Sequence, residues 1–519
     1  PFDFQILDVT DIGRIHSFIP EMFEKHGRID VVVNNAGYGL FGAAEDGVAL
    51  TVTLSNEKGS VLARDTATSR DGAFRFRLPP QTAQTGCTLS ITDGETTAVY
   101  RDIAIGDVYL AGGQSNMELE LQNADEGLDL IPVHENGQVR YFNVPKYARF
   151  TPEAEEANKN ARWEIIAPGT ARDMSAVAYF FAMKLQEKLQ IPVGIIDCYW
   201  GGTSVSCWMD EEALLRTAEG TRYLNEYKER WAGKSMEAYL EEEGAFFGGL
   251  DAWAKQADAL KKEHPEYTTK EINAVIGPCP PWNPPVGEGS PFRPDGLVHT
   301  MLERVTPCAL TGVLFYQGEE DTFRTQRYDI LLTSFILRLR EKFEDDTLPF
   351  LNVQLPMWID GAATEDSKLW PRLRLAQQTV YRNIRHTGLA VLLDQGEFDN
   401  IHPTNKRVVG ERLYETALAE VYGLPARLSP FACGKSQAGG KLHISLSAPV
   451  RDRGTGEWLM EIAGEDGRFL PAQVELKENQ IVLSHPDIPR PAMARYAWTD
   501  YAPVRLFGEN GWPLTPFCF

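Results

Sequence analysis

The chain has 519 residues, with 51 Lys and Arg against 73 Asp and Glu and a formal charge of −22. This excess of acid argues against binding to nucleic acid, which basic side chains drive by neutralising phosphates, and against docking on anionic lipid. At about 150 residues per domain, the length predicts three to four domains. The sequence contains no apolar run of about 18 residues of the kind that spans a membrane.

The first predicted elements lie in residues 1–46. The stretch IGRIHSFIPEMFEKHG, which starts at Ile12, has apolar residues near helical spacing and a stop at Gly27, so it predicts a helix. The apolar run IDVVVNNAG then predicts a buried strand. Over residues 47–104, short alternating strands separated by Asn, Asp and Gly turns predict a small antiparallel β-domain.

Strands and helices alternate over residues 105–425, from the strand DVYLAGG to the helix PTNKRVVGERLYETALAEVYG. This alternation predicts an α/β fold with a mostly parallel sheet and helices on both faces. Residues 211–292 interrupt it with acidic helical sequence and a Pro-rich stretch, which we interpret as an insertion. Short strands return over residues 426–519 and predict a C-terminal β-domain.

The seven cysteines include no C-x-x-C pair, so zinc-ribbon and thioredoxin-like sites are excluded. Their number is odd and their density is low for so long a chain. We therefore expect free thiols rather than a disulfide framework.

Ser115 stands where the strand DVYLAGG turns into a helix. A hydroxyl there projects above the carboxyl end of the strand, and the serine N–H can face a developing oxyanion. A serine before a helix is also a common N-cap without a catalytic role. Taken alone, the motif leaves both interpretations open.

Asp399 and His402 are three residues apart in the loop DNIHPTNK. Pro403 suits the first turn of the following helix and biases His402 towards extended backbone. The Asp399 carboxylate could then accept a hydrogen bond from Nδ1 of His402 and leave Nε2 free to act as a base. The alternative is a chance pair of surface residues.

Two further predicted strands end in possible hydrogen-bond donors. Gly201 and Gly202 follow VGIIDCYW, and glycine lets a backbone N–H approach a substrate closely. Gln317 follows ALTGVLFY and offers a side-chain amide. The alternatives are a tight turn and a solvated acidic loop. Because ligands bind at the carboxyl ends of parallel strands, the four motifs together predict an acyl-transfer site.

These motifs resemble the sialate O-acetylesterase family of SGNH-type hydrolases, and the resemblance covers about residues 47–519. The matching blocks are GQSNM (Gly113 to Met117), WGGTSVSCWM (Trp200 to Met209), YQGEED (Tyr316 to Asp321) and DNIHPTNKRVVGERL (Asp399 to Leu413). One residue departs from the family pattern: Asp321 stands where many members have Asn. This departure weakens any donor role at that position.

The resemblance implies an SGNH-hydrolase-like fold and a carboxylic ester hydrolase. Ser115 would be the nucleophile, His402 its general base and Asp399 the residue that orients the base. The oxyanion hole would combine the N–H groups of Ser115 and Gly202 with the amide of Gln317, and the glycine before Gly202 is the alternative donor. We expect no metal and no cofactor, because such a triad splits ester hydrolysis into acylation and deacylation without one.

The expected substrate is an acetylated carbohydrate, with O-acetylated sialic acid as the first choice. Acetylated xylan, another glycan, or a non-catalytic carbohydrate-binding protein on the same fold are the alternatives. Sialic acid carries a carboxylate that an arginine would bind, and Arg293 and Arg372 are candidates, although each can equally pair with local acid. Trp282, in the Pro-rich part of the insertion, is the candidate for stacking on a sugar, with packing in the insertion's own core as the alternative. The oligomeric state is open.

Residues 1–46 resemble a fragment of a short-chain dehydrogenase through LDVTD and VVVNNAGYG. The sequence lacks the Gly-rich turn that would bind a pyrophosphate, and it lacks a Tyr-x-x-x-Lys pair for hydride chemistry. We therefore expect no NAD(P) binding and interpret the segment as a fusion scar or truncated domain without function. The chain also starts without Met or a signal-peptide pattern, so it looks cut from something longer. The compartment is open, although members of the esterase family are often secreted or periplasmic.

Overall fold

A computed structural model describes residues 32–34, 38–43, 46–71, 73–454 and 456–519. The helix predicted after Ile12 lies outside these ranges. None of the described helices is long and apolar enough to cross a membrane. All seven cysteines lie in the described part of the chain and are free thiols, as expected.

The structure contains strands of two to seventeen residues. In chain order they are β1 (Val32–Asn34), β2 (Tyr38–Ala43), β3 (Ala49–Ser55), β4 (Val61–Thr68), β5 (Ala73–Leu78), β6 (Gln84–Thr92), β7 (Thr97–Gly113), β8 (Asn136–Asn143), β9 (Glu164–Ile166), β10 (Val193–Tyr199), β11 (Gly312–Tyr316), β12 (Phe350–Gln354), β13 (Thr387–Val391), β14 (Ala432–Ala438), β15 (Lys441–Leu446), β16 (Val450–Asp452), β17 (Met460–Ala463), β18 (Leu470–Pro471), β19 (Gln473–Lys477), β20 (Gln480–Ser484), β21 (Met493–Tyr496), β22 (Leu506–Gly508) and β23 (Phe517–Cys518).

In the part of the chain that the structure describes, the helices lie between residues 115 and 420. The α-helices are α1 (Ser115–Glu118), α2 (Gly127–Leu130), α3 (Pro152–Asn160), α4 (Ala176–Leu189), α5 (Glu211–Leu215), α6 (Ala218–Trp231), α7 (Met236–Glu263), α8 (Thr269–Ile276), α9 (Leu297–Thr300), α10 (Tyr328–Lys342), α11 (Leu369–Asn383) and α12 (Lys406–Glu420). Short 3₁₀ segments cover Leu121–Asn123, Val205–Trp208, Leu302–Arg304 and Glu319–Arg327.

The main sheet follows the order β13-β12-β11-β7-β10-β8-β9, and only the β8–β9 pair in this series is antiparallel. Every residue of β10, β11 and β12 is buried. Because alternate residues of a strand point to opposite faces, both faces of the sheet are covered. α4 packs against α12 and α10 packs against α11. The predicted α/β class with a largely parallel sheet is confirmed.

β7 joins the N-terminal β-domain to the main sheet. Its first part pairs antiparallel with β6, and its last residues pair parallel with β10 and β11. The β-domain core contains Val52, Leu54, Phe76 and Ile103, all of which are buried. The described strands of the N-terminal segment join this region, since β1 pairs with β7 and β2 pairs with β5.

The C-terminal β-domain consists of small antiparallel sheets that include β14-β15-β20-β19 and β18-β17-β21-β23. Its hydrophobic core includes Met357 and Val391 of the α/β domain. Arg374 of α11 is fully buried and donates hydrogen bonds to the carbonyl oxygens of Ala497 and Thr499. The two regions therefore share one packed boundary.

Candidate active site

Ser115 is the first residue of α1, and it follows the carboxyl end of the central strand β7 by two residues. The N–H of Gln114 donates to the carbonyl of Tyr316 at the end of β11, with an N–O distance of 3.1 Å. This bond fixes the turn between strand and helix. The serine hydroxyl consequently lies at the carboxyl edge of the sheet, as the sequence predicts.

His402 lies in the loop between β13 and α12, and its Nε2 is 2.8 Å from Oγ of Ser115. Its backbone N–H donates to Oδ1 of Asn400, 3.0 Å away, which fixes the loop at this point. The strand order brings the two residues together, although 287 positions separate them in the chain. A proton can pass directly from this hydroxyl to this imidazole.

The His402 side chain is exposed in the cleft, but its surroundings remove much of the water from around the ring. This desolvation, followed by the positive charge of Lys406, lowers the pKa of His402 to about 4. The imidazole is therefore neutral at pH 5 to 8 and can accept a proton.

A buried polar network lies beneath Ser115 and His402. Nζ of Lys406 donates to Oδ1 of Asn116 at 2.5 Å, and Nδ2 of Asn116 donates to Oε1 of Glu319 at 2.7 Å. The same Nδ2 donates to the carbonyl of Ile401, which precedes His402. Burial lowers the pKa of Lys406 to about 7 and raises that of Glu319. The network ties the serine turn to the histidine loop.

The structure does not form the expected hydrogen bond between Asp399 and His402. The Asp399 carboxylate instead accepts from the backbone N–H of Gly361 at 2.6 Å and from that of Thr269 at 2.5 Å. Asp399 itself adopts a positive φ of 63°. Sequence spacing predicts only that the two residues are near each other along the chain, and it does not reveal that backbone donors from other segments engage the carboxylate.

Gln317 does not reach the cleft, contrary to the prediction. Its side chain is fully buried, and Nε2 lies 2.5 Å from Oδ2 of Asp321 and 3.2 Å from the carbonyl of Thr203. Its Oε1 accepts from the hydroxyl of Tyr328. The aspartate at position 321, which departs from the family pattern, takes the amide hydrogen that an oxyanion would need.

The two glycines after β10 differ in their hydrogen bonding. The N–H of Gly201 donates to the carboxylate of Glu118. Within the described part of the chain, the N–H groups of Gly202 and Ser115 donate to no other protein group. A Cβ on Gly202 would lie 2.2 Å from Cζ2 of Trp282, so only glycine fits there.

A cleft of about 1040 Å³ opens above Ser115 and His402. Much of its wall is aromatic, and these side chains come both from the sheet edge and from the insertion: Trp200, Phe247, Trp282, Phe292, Phe323, Trp358 and Trp370. Trp282 is 41% exposed and packs edge-to-face on Phe292, with ring centroids 5.5 Å apart. Aromatic faces of this kind suit the apolar face of a sugar ring.

The other two tryptophans of the insertion have structural partners. Trp231 packs edge-to-face on Tyr239, and the indole N–H of Trp253 donates to the carbonyl of Gly277. Neither residue lines the cleft. Of the three tryptophans in the insertion, Trp282 is therefore the one that lines the cleft.

The two arginines predicted to bind a carboxylate do not line the cleft. Arg293 donates to the carbonyl oxygens of Glu288 and Pro294, and Arg372 is exposed on α11. Two other cations take their place in the wall, namely Lys146 and Arg149.

The two cations in the cleft wall differ in their partners. Lys146 forms an ion pair with Glu118. Arg149 has no ion pair among the described residues, and the only hydrogen bond of its side chain there is from Nη1 to Sδ of Met236, at 3.9 Å. Of these two cations, Arg149 is therefore the one whose charged group can pair with a carboxylate of a ligand.

The cleft wall also contains several carboxyl groups. Glu153 and Glu243 line it together with Glu319 and Glu320. Burial and the neighbouring Asp321 raise the pKa of Glu320 to about 8, so this group is largely protonated at neutral pH. The cleft can therefore donate as well as accept hydrogen bonds.

Comparison with known proteins gives a consistent result. Residues 288–419 match the family model described as carbohydrate esterase, sialic acid-specific acetylesterase. The chain is 23% identical to sialate O-acetylesterases of Pongo abelii, over 93% of this chain and 89% of that protein, and of Mus musculus, over 90% and 87%. Its fold matches a carbohydrate acetylesterase from Xanthomonas citri with a TM-score of 0.72 and 26% identity, covering 95% of this chain and 98% of that one.

The chain is a carboxylic ester hydrolase that is similar to sialate O-acetylesterases over most of its length. This esterase combines the expected serine and histidine contact with residues that sequence analysis missed. Asn116 follows Ser115 in GQSNM and Lys406 lies four residues after His402 in HPTNK, so their closeness to the two motif residues was available as a signal. Arg149 has no such signal, because it lies in a loop that belongs to none of the matching motifs.

Proposed function

We propose that this carbohydrate O-acetylesterase uses Ser115 as its nucleophile and His402 as its general base. The observation that supports the proposal is the 2.8 Å contact between Oγ of Ser115 and Nε2 of His402. As Oγ bonds to the acetyl carbon, His402 takes the hydroxyl proton and returns it to the departing sugar oxygen. Water then attacks the acyl carbon and gives a proton to His402, which passes it to Oγ of Ser115 as the acyl bond to Oγ breaks and acetate leaves.

The oxyanion would form at the N–H groups of Ser115 and Gly202. Both lie at the edge of the cleft, and neither donates to another described protein group. The N–H of Ser115 also lies at the start of a helix, where partial positive charge favours an anion. Gly201 is the weaker candidate, because its N–H already donates to Glu118.

Asp399 would complete a Ser–His–Asp triad if its carboxylate turned to Nδ1 of His402. It lies in the same loop as His402, but its present partners are Gly361 and Thr269. In the conformation described here, catalysis would depend on the serine and histidine alone.

O-acetylated sialic acid is the substrate that we propose. Its carboxylate would pair with Arg149, since guanidinium forms strong two-point hydrogen bonds to carboxylates. Its ring would pack on the aromatic wall that includes Trp282. A neutral acetylated glycan such as acetylxylan is the second candidate, and the carboxylates of Glu153 and Glu243 in the wall favour it.

An acetate-release assay distinguishes the two substrates. We expect faster release from O-acetylated sialic acid than from acetylated xylo-oligosaccharides. Arg149→Met should raise KM for the sialic acid by about tenfold, because one charged hydrogen-bond partner contributes about 1.5–3 kcal/mol. Its KM for the neutral substrate should stay the same.

Arg372→Met is the matched control, because Arg372 is exposed and lies outside the cleft. This variant should match the wild type on both substrates. Faster turnover of the xylo-oligosaccharides, with no effect of Arg149→Met on either, would favour the neutral glycan instead.

A further inference from the structure

The Asp399 carboxylate lies in a fitted site built by two backbone donors. Oδ1 is 2.6 Å from the N–H of Gly361 and Oδ2 is 2.5 Å from the N–H of Thr269. A Cβ on Gly361 would lie 2.4 Å from the Asp399 carboxyl carbon, so the carboxylate fits closely over this glycine. The N–H of Asp399 also donates to the carbonyl of Ile359.

The two donors come from different parts of the molecule. Gly361 belongs to the loop that follows β12, whereas Thr269 is the first residue of α8 in the insertion. The same insertion contributes Phe247 and Trp282 to the cleft wall. One segment therefore contacts both the site where the sugar would bind and the acid of the proposed triad.

We propose that the insertion, through Thr269 and with Gly361, holds Asp399 apart from His402 when the cleft is empty. A glycan that binds against Phe247 and Trp282 moves the insertion and releases the carboxylate to Nδ1 of His402. Thr269 and Gly361 are thus positioning residues that act through Asp399. This proposal rests on the Ser115–His402 mechanism proposed above.

A small ester tests the proposal, because p-nitrophenyl acetate is too small to engage the insertion as a glycan would. Thr269→Pro removes the N–H that holds Asp399. Proline suits the first position of a helix, and Thr268 before it has φ −84° and ψ 169°, which a following proline tolerates. Thr269→Ala keeps the N–H and is the matched control.

Gly361→Ala displaces the carboxylate by a second route, since the added methyl group occupies its position. Both Thr269→Pro and Gly361→Ala should raise kcat/KM for p-nitrophenyl acetate by about tenfold or more, because the acid of such a triad contributes orders of magnitude to the rate. Thr269→Ala should behave as the wild type does. Adding Asp399→Asn to either active variant should remove the gain.

The pH profile gives a readout that a purely structural role would not change. A carboxylate beside an imidazole raises its pKa, so the acid limb of kcat/KM should move upward from about 4 in both variants. Neither substitution touches the partners of the other charged groups near His402. Lys406 donates to Asn116, Asn116 donates to Glu319, and Glu118 forms an ion pair with Lys146. The shift would therefore report Asp399.

Melting temperatures establish that each variant is folded. The proposal would be overturned if Thr269→Pro and Gly361→Ala were both folded and matched Thr269→Ala in rate and pH profile. It would also be overturned if both were folded and had lost activity. Failure of the esterase mechanism itself would look different, because Ser115→Ala would then retain its activity.

Discussion

Lys406 is the residue whose charge most directly affects the proposed base. It is 1% exposed and lies four residues after His402, at the start of α12. Its ammonium donates to Asn116 and stands 5.5 Å from the centre of the Tyr316 ring. Desolvation is the main cause of the lowered pKa of His402, and the positive charge of Lys406 adds to it because it disfavours a second positive charge nearby.

The first prediction concerns the pH dependence of this base. Because the pKa of His402 is about 4, the imidazole is protonated and unable to act as a base only at pH values near or below 4. As the pH is raised, kcat/KM for p-nitrophenyl acetate should therefore rise through a midpoint of about 4 and stay level towards neutral pH. Lys406→Met should move this midpoint upward, towards the ordinary value of 6.5. Steady-state kinetics between about pH 3 and pH 8 measure both midpoints, because this interval includes the lowered pKa and the ordinary pKa of histidine.

Lys184→Met is the control for this change, because the substitution also removes one positive charge. Lys184 pairs with Glu187 on the exposed side of α4. This variant should leave the midpoint where it is in the wild type. An equal midpoint in Lys406→Met and the wild type would show that Lys406 does not set the pKa of His402.

The insertion is the element that shapes the cleft. α7 provides Phe247, and the extended segment after α8 provides Trp282 and Phe292. These three rings pack on one another, with Phe247 and Trp282 centroids 6.3 Å apart. The cluster presents an apolar surface on one side of Ser115, where a ring of a bound sugar would lie.

Trp282→Ala tests whether this surface binds the sugar. Loss of the indole should raise KM for an acetylated glycan by about tenfold, since stacking and burial of one large aromatic contribute about 0.5–1.5 kcal/mol beyond area. KM for p-nitrophenyl acetate should change less, because the small ester has no ring at that position to stack. Kinetics on both substrates give the comparison.

Trp253→Ala provides the matched variant in the same insertion. Trp253 donates to the carbonyl of Gly277 and does not line the cleft, so its loss should lower the melting temperature without raising KM. Equal KM values for Trp282→Ala and Trp253→Ala on the glycan would exclude a sugar-binding role for Trp282.

Part of the fold and the site can be predicted from local patterns. The continuous apolar runs of β10 and β11 predict buried parallel strands, and the carboxyl ends of such strands meet at one edge, which brings Ser115 and His402 together. The partners of Asp399 could not be predicted, because Thr269 and Gly361 lie 130 and 38 positions away and donate through the backbone. Backbone donors leave no signal in residue type.

Gln317 illustrates the same limit for a side chain. Its place in the QGE motif predicts a donor at the cleft, yet Asp321 lies four positions later and accepts the amide hydrogen. The tyrosines that complete this buried cluster, Tyr223 and Tyr328, belong to α6 and α10. Only the three-dimensional arrangement reveals that the amide is occupied.

At the scale of the whole molecule, the described strands of the N-terminal segment belong to the sheets of the β-domain. β1 pairs with β7 beside Ala104, Ile105 and Gly106, and β2 pairs with β5. Both pairings lie at the N-terminal β-domain, whereas the cleft lies at the carboxyl end of β7. These two described strands therefore contribute to the β-domain, and neither of them lines the cleft.

Deleting residues 1–31 should leave kcat/KM on p-nitrophenyl acetate within about twofold, since no residue of the cleft wall changes. A deletion that continues through Ala43 should lower the melting temperature, because it removes strands that pair with β5 and β7. Neither form should bind NAD(P)H. If the full chain bound NAD(P)H at micromolar concentration and lost this binding on deletion of residues 1–31, the interpretation of the segment would be wrong.

The measurement that tests the central claim most directly is acetate release by Ser115→Ala. The Oγ atom of Ser115 is 2.8 Å from Nε2 of His402, and it is the atom that we propose attacks the ester. With a melting temperature equal to that of the wild type, this variant should lose at least about 10³-fold in kcat on acetylated sugar and on p-nitrophenyl acetate alike. Retention of more than about a tenth of the wild-type rate would contradict the assignment of Ser115 as the nucleophile.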